Sequence, residues 1–152
     1  MGTYSSVTRQ GAYEPFDLQV SRGQIDAHSN LNIYGYQTAV GTSFIPVWEI
    51  ASAYTYPVAA MTMYLSGTAG DTASILIQGL DANYAQISET LVLDGATQVA
   101  TTKQYFRING MQVTAGSSTN PSGAVILTNS GATVTYAKIN TGIGKTQASI
   151  YT

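Results

Sequence analysis

Val58-Ala59-Ala60-Met61-Thr62-Met63-Tyr64-Leu65 places Met61, Met63 and Leu65 on one side of an extended chain and Thr62 and Tyr64 on the other. Successive side chains of a strand point to opposite faces, so this alternation is that of a strand with one face buried. Residues 84–93 repeat it: Ile87, Leu91 and Leu93 share a face. Glu89 has the same parity and is therefore expected to point inward at a sheet end or an interface, with Lys103 or Arg107 as its candidate partner.

Outward from these two runs the same texture continues. No long stretch carries apolar residues at the three-and-four spacing of a helix, while Thr, Val, Ile and Tyr recur in short runs. Strands are predicted over 31–36, 58–65, 72–78, 84–93, 104–108, 111–114, 124–128, 133–139 and 147–151. Turn clusters separate them: SGTAGD at 66–71, LDAN at 80–83, Asp94-Gly95, GSSTNPSG at 116–123 and NSG at 129–131. Asn109-Gly110 predicts a two-residue hairpin joining YFRI to MQVT, because both residues tolerate positive φ. Short strands at this spacing, with no helical crossover, imply an all-β fold: an antiparallel β-sandwich or jelly roll in one domain.

Residues 1–57 differ from the sandwich core expected over 58–152. Residues 1–15 read as an arm without a period, and 37–57 is broken by Gly41, Pro46 and Pro57 and reads as extended. Such an arm orders on a partner or stays disordered alone.

Only 9% of the 152 residues are charged, against roughly 25% in ordinary soluble domains. Thr, Ser, Asn, Gln and Gly supply the polarity instead, and such groups can be covered by another surface without stranding ions. A net charge of −2 gives no field that attracts phosphate backbones, so nucleic acid is not an expected partner. The chain has no cysteine, which excludes disulfides and thiolate metal sites. The start, MGTYSSVTRQGAYEP, lacks the apolar core of a signal peptide, and no apolar run reaches membrane-spanning length. Assembly in a cytoplasm without membrane insertion is expected.

Candidate chemistry is thin. His28 is the sole histidine, in IDAHSN with Asp26 two residues away, too few ligands for a metal. Ser29, next to it, would point to the opposite strand face. GIGKT at 142–146 ends like a phosphate-binding loop, but the glycine required five residues before Gly144 is Ile139. Asp71, Asp81 and Asp94 sit at predicted turns, where Asp is favoured for local hydrogen bonds. No catalytic residue, metal or cofactor is assigned, and no enzymatic activity is expected. Eleven tyrosines and Trp48 are the richer signal. Tyr34 and Tyr36 (IYGY) and Tyr54 and Tyr56 (AYTYP) form same-face pairs. Subunit contact, sugar stacking and ordinary sheet packing all account for them.

EPFDLQVSRGQIDAHSNLNIYGYQTAVGTSFIPVWE (14–49), IQGLDANYAQISETLVLDG (77–95) and YFRING (105–110) together resemble virion structural proteins of tailed, mostly marine, bacteriophages. The likeness covers most of the chain and contains no catalytic motif. It implies that Phe16, Leu18, Val20, Arg22, Gly23 and Ile25 anchor the chain to its neighbours; the aromatic enrichment separately offers Tyr34, Tyr36, Trp48, Tyr54 and Tyr56 as contact residues. Such relatives continue past a strand like TQASIYT, which implies a fragment or a shortened member. The expectation is therefore a virion component, a capsid decoration or cement protein binding the major capsid protein. The alternative is a tail adaptor, fibre base or receptor- and glycan-binding module bound to tail proteins. A homo-oligomer is expected by analogy alone.

Overall fold

The computed structural model describes residues 15–22, 24–26, 32–37, 40–44, 47–50, 55–116 and 121–151. Contacts divide the chain into two units, Met1–Asn32 and Ile33–Tyr151.

The described part of the first unit corrects the expectation of an arm and extended segment over 1–57: Phe16–Ser21 is a short helix, α1. Pro15 supplies the reason. Its φ of −55° suits a helix start, and its carbonyl accepts from the Leu18 and Gln19 amides at 3.1 and 3.2 Å. Asp17 in the first turn favours the positive end of the helix. Of the expected arm over 1–15, residues 1–14 lie outside the described residues.

The second unit is all-β. Its strands are β1 (Asn32–Gly35, entered from the first unit), β2 (Met61–Ser66), β3 (Ser74–Leu80), β4 (Gln86–Val92), β5 (Val99–Tyr105), β6 (Arg107–Ala115), β7 (Val125–Thr128), β8 (Thr135–Ile139) and β9 (Ala148–Tyr151). An antiparallel sheet of order β5-β2-β7-β8 faces a second of order β4-β3-β6, and β1 pairs with β9. Their inner faces share one core. Met63 and Leu65 of β2, Ile75 and Ile77 of β3, Val125 and Leu127 of β7 and Ile139 of β8 are wholly buried there, each worth about 1.5–3 kcal/mol. Met61, Met63 and Leu65 do share the inward face, as the alternation required.

Asn109-Gly110 is not a hairpin. It lies inside β6, where Gln78 pairs with Gly110 and Gly79 with Ile108, so Asn109 is an extra residue in a β-bulge. The tolerance of Asn and Gly that suits a turn equally suits a bulge. The real corner is at Phe106, where the chain leaves one sheet as β5 and enters the other as β6. Phe106 donates its amide to the Leu80 carbonyl at 2.7 Å. Gly79 makes this crossing possible, since a Cβ there would run into the Arg107 carbonyl oxygen and come within 2.8 Å of Tyr105 Cδ1.

Three devices manage the edges. The segment Gly144 to Thr146 lies antiparallel along β6: Val113 donates to the Gly144 carbonyl at 2.8 Å and Thr146 to Met111 at 3.0 Å. This is where GIGKT ends, alongside a strand. At the other side, β4 and β5 are the edge strands of opposite sheets, and Glu89 laces them. Its carboxylate accepts from the Thr102 amide (3.0 Å), the Thr102 hydroxyl (2.9 Å) and the Lys103 amide (3.3 Å). Lys103 Nζ returns a bond to the Ser88 carbonyl at 2.6 Å. Burial, and then the Glu89 charge, hold the neighbouring Tyr105 phenol above its ordinary value. The third device is Asp71. It accepts from Thr68 N (3.1 Å), Ser122 N (3.0 Å) and Ser122 Oγ (2.8 Å), tying the 66–71 turn to the strand approach before β7.

Candidate docking surface and polar hollow

Large hydrophobic side chains left in solvent are concentrated in one part of the sequence. Among the described residues there are ten, and eight of them lie between positions 16 and 58: Phe16, Leu18, Tyr34, Val40, Phe44, Val47, Tyr56 and Val58. Phe44 and Val58 are essentially fully exposed. In α1, Phe16 and Leu18 are exposed whereas Val20 is buried, so the apolar groups this helix presents are Phe16 and Leu18. Arg22 is exposed and Ile25 half-buried, while Gly23, His28 and Tyr54 lie outside the described residues. In the second unit, Val40, Phe44 and Val47 line an apolar hollow of about 320 Å³ with Gln37 and Thr42. Sequence reading passed over all three, because this Gly- and Pro-broken stretch gives no periodic signal.

Tyr34 and Tyr36 are brought together with Lys145 around a hollow of about 230 Å³. Lys145 Nζ stands 5.2 Å from the Tyr36 ring centroid, a cation–π contact that gives this loop lysine a partner. The segment is pinned from beneath by Gln147. That residue's amide donates to Glu49 Oε1, its carbonyl accepts from Tyr36 N at 3.0 Å, and its side chain reaches the Tyr36 carbonyl (3.2 Å) and Gln37 Oε1 (3.1 Å). Asn140 Nδ2 completes the hub at 2.7 Å. Glu49 also accepts from Ala148 N at 3.3 Å, while its Oε2 is buried without a hydrogen-bond partner. Burial pushes the Glu49 carboxyl up to about 7, against the backbone amides and the Lys138 charge that favour ionisation. Trp48, beside Glu49, is half-buried.

Tyr56 joins a different cation. The Arg107 guanidinium lies 3.9 Å from the Phe106 ring, 4.6 Å from Tyr56 and 5.9 Å from Tyr84. Phe106 and Tyr84 meet edge to face at 5.4 Å. Arg107 Nη1 donates to the carbonyls of Phe106 (2.7 Å) and Pro57 (3.3 Å), which ties the 55–58 segment to the β5–β6 corner. Tyr84 holds φ at +59°, a conformation uncommon for a bulky residue, and the Asp81 Oδ1 bonds to Asn83 N (2.8 Å) and Ala85 N (3.0 Å) stabilise its turn.

The outer face of β4-β3-β6 carries a polar hollow of about 270 Å³, lined by Gln78, Gly79, Gln86, Ile87, Ser88 and Asn109. Asn109 is buried, and its Oδ1 makes no hydrogen bond. An unpaired buried acceptor of this kind costs about 1–3 kcal/mol.

Among the described residues, no three acidic or histidine side chains gather as a metal site would require, and no helix is long and apolar enough to cross a membrane. No protein family, curated protein or solved structure matches this chain.

Proposed function

We propose that this protein is a non-enzymatic structural component of a bacteriophage particle, attached to the head as a decoration or cement protein through contacts with the major capsid protein. The observation that carries the docking part is the concentration of solvent-facing Phe16, Leu18, Val40, Phe44, Val47 and Val58 ahead of a well-packed sandwich. A monomer gains nothing by leaving so much apolar surface wet, whereas a partner that covers it gains about 25 cal/mol for every Å² removed from water. The low charge of the chain supports the same reading, because interface cores are depleted of ions. The phage assignment rests on the sequence resemblance of residues 14–49, 77–95 and 105–110.

The mechanism is mechanical. The packed sandwich forms the body of the attachment, and the exposed apolar side chains lie against a seam between capsid subunits. Many copies then share the load from packed DNA, so that weak single contacts add up through multivalency.

The test is a particle lacking this protein. Such particles assemble but burst at lower temperature or in low salt with chelator. Particles of unchanged stability that fail to adsorb to the host would instead place the protein in the tail, as an adaptor or receptor-facing module.

A further inference from the structure

We propose that the polar hollow on the outer face of β4-β3-β6 is a binding site for a neutral sugar ring, a role separate from docking to the particle. Its wall is built by register. Gln78 sits between Ser88 on β4 and Gly110 on β6, and the bulge turns Asn109 into the same hollow. Two residues along β3, Leu80 sits between Gln86 and Arg107.

The chemistry of the lining selects the ligand. Gln78, Gln86 and Asn109 each carry a carboxamide that both donates and accepts, and Ser88 adds a hydroxyl. Vicinal hydroxyls of a sugar do the same, so each can pair twice with such a wall. No lining residue is charged, which disfavours phosphate, carboxylate and ammonium ligands. At about 270 Å³ the hollow is at the small end of ligand sites and matches one ring rather than a buried chain.

Asn109 is the second, independent indication. Asn is a poor strand former, its Oδ1 is buried and unpartnered, and the bulge that carries it interrupts the β3–β6 ladder. None of these features strengthens the sandwich, and departures from local consistency collect at functional sites. Rotation of the carboxamide exchanges its oxygen and nitrogen, so a ligand hydroxyl can satisfy either atom.

The full chain, labelled with ¹⁵N, is titrated with the methyl glycosides of glucose, galactose and mannose, and with glucuronate as the charged comparison. The expected result is saturable movement of the resonances of residues 78–79, 86–88 and 109–110 with at least one neutral glycoside, with glucuronate weaker. Gln86→Ala, on an exposed edge strand where folding is not at risk, and Asn109→Ala each weaken that binding about tenfold. Gln24→Ala leaves it unchanged. The proposal is overturned if no neutral glycoside moves those resonances up to about 100 mM. It is equally overturned if glucuronate binds more tightly, or if Gln86→Ala binds like the wild type.

Discussion

Replacing Glu89 by alanine removes the acceptor that joins the edge strands of the two sheets. Three donors lose their partner: the amides of Thr102 and Lys103 and the Thr102 hydroxyl. A hydrogen bond contributes about 0.5–1.5 kcal/mol net, and these three belong at the low end because water reaches them. The Lys103–Ser88 bond survives, since its acceptor is a main-chain carbonyl. The expected loss is therefore about 1.5 kcal/mol, or about 3–6 °C in Tm for a domain of this size. Glu89→Gln keeps one acceptor oxygen and is expected to lose about half as much. Urea unfolding supplies the free energy, and amide hydrogen exchange supplies the location: Thr102 and Lys103 exchange faster in the alanine variant while Val125 and Leu127 of β7 shift only with global stability. If Glu89→Ala unfolds within about 0.5 kcal/mol of the wild type, with Thr102 still protected, the lacing has no energetic role and the reasoning fails.

Gly79→Ala pushes a methyl group toward the Arg107 carbonyl at the β5–β6 corner and is expected to cost about 1–3 kcal/mol by chemical denaturation, whereas Gly41→Ala, with nothing near its Cβ, is expected to change little. Glu49 gives a pH dependence. The unfolded carboxyl ionises near 4.5 and the folded one near 7, so the folded state holds the extra proton between these values and stability falls as pH rises through that window. Urea midpoints from pH 4 to 8 should show this slope in the wild type and not in Glu49→Gln, and equal slopes would refute the assignment. Asp71 behaves in the opposite sense. Burial alone would raise its carboxyl, but the Ser122, Thr68 and Gly123 hydrogen bonds outweigh it and hold the group below 3.8. Its contribution is present above about pH 3.8 and is lost as pH falls through the lower folded value, so Asp71→Ala should remove part of the acid sensitivity and speed amide exchange at Thr68 and Ser122.

Strands with one clearly apolar face were readable because alternation is a direct image of burial. Met61, Met63 and Leu65, and the inward parity of Glu89 with Leu91, transferred from sequence to structure with nothing changed. Glu89's partner was legible only in part, since Lys103 contributes its main-chain amide to the carboxylate. The first half of β5 was not read as a strand. Of VATTKQY only Thr101 and Tyr105 are buried, and Thr101 earns its place through its hydroxyl, which accepts from Met63 N at 2.9 Å. Asn109-Gly110 misled because turns and bulges ask the same backbone freedom of a residue, and only the pairing with Gln78 and Gly79 tells them apart.

The contact residues were legible to a smaller degree. Tyr34 and Tyr36 do share one hollow, but Tyr56 belongs to the Arg107 cluster, whose members Tyr84 and Phe106 are far from it in sequence. Such a cluster exists only through the corner that folding creates. Val40 and Phe44 were passed over because exposure of a single apolar side chain has no sequence signature. The carboxamides of Gln78, Gln86 and Asn109 were equally silent, as three common polar residues on three different strands.

A cryo-EM map of the intact particle, with this chain located, tests the docking account most directly. The account predicts the sandwich on the outside of the head, across a seam between capsid subunits, with Phe16, Leu18, Val40 and Phe44 covered by the neighbouring protein. A particle that lacks the chain, or carries it with those four side chains still facing solvent, would contradict it.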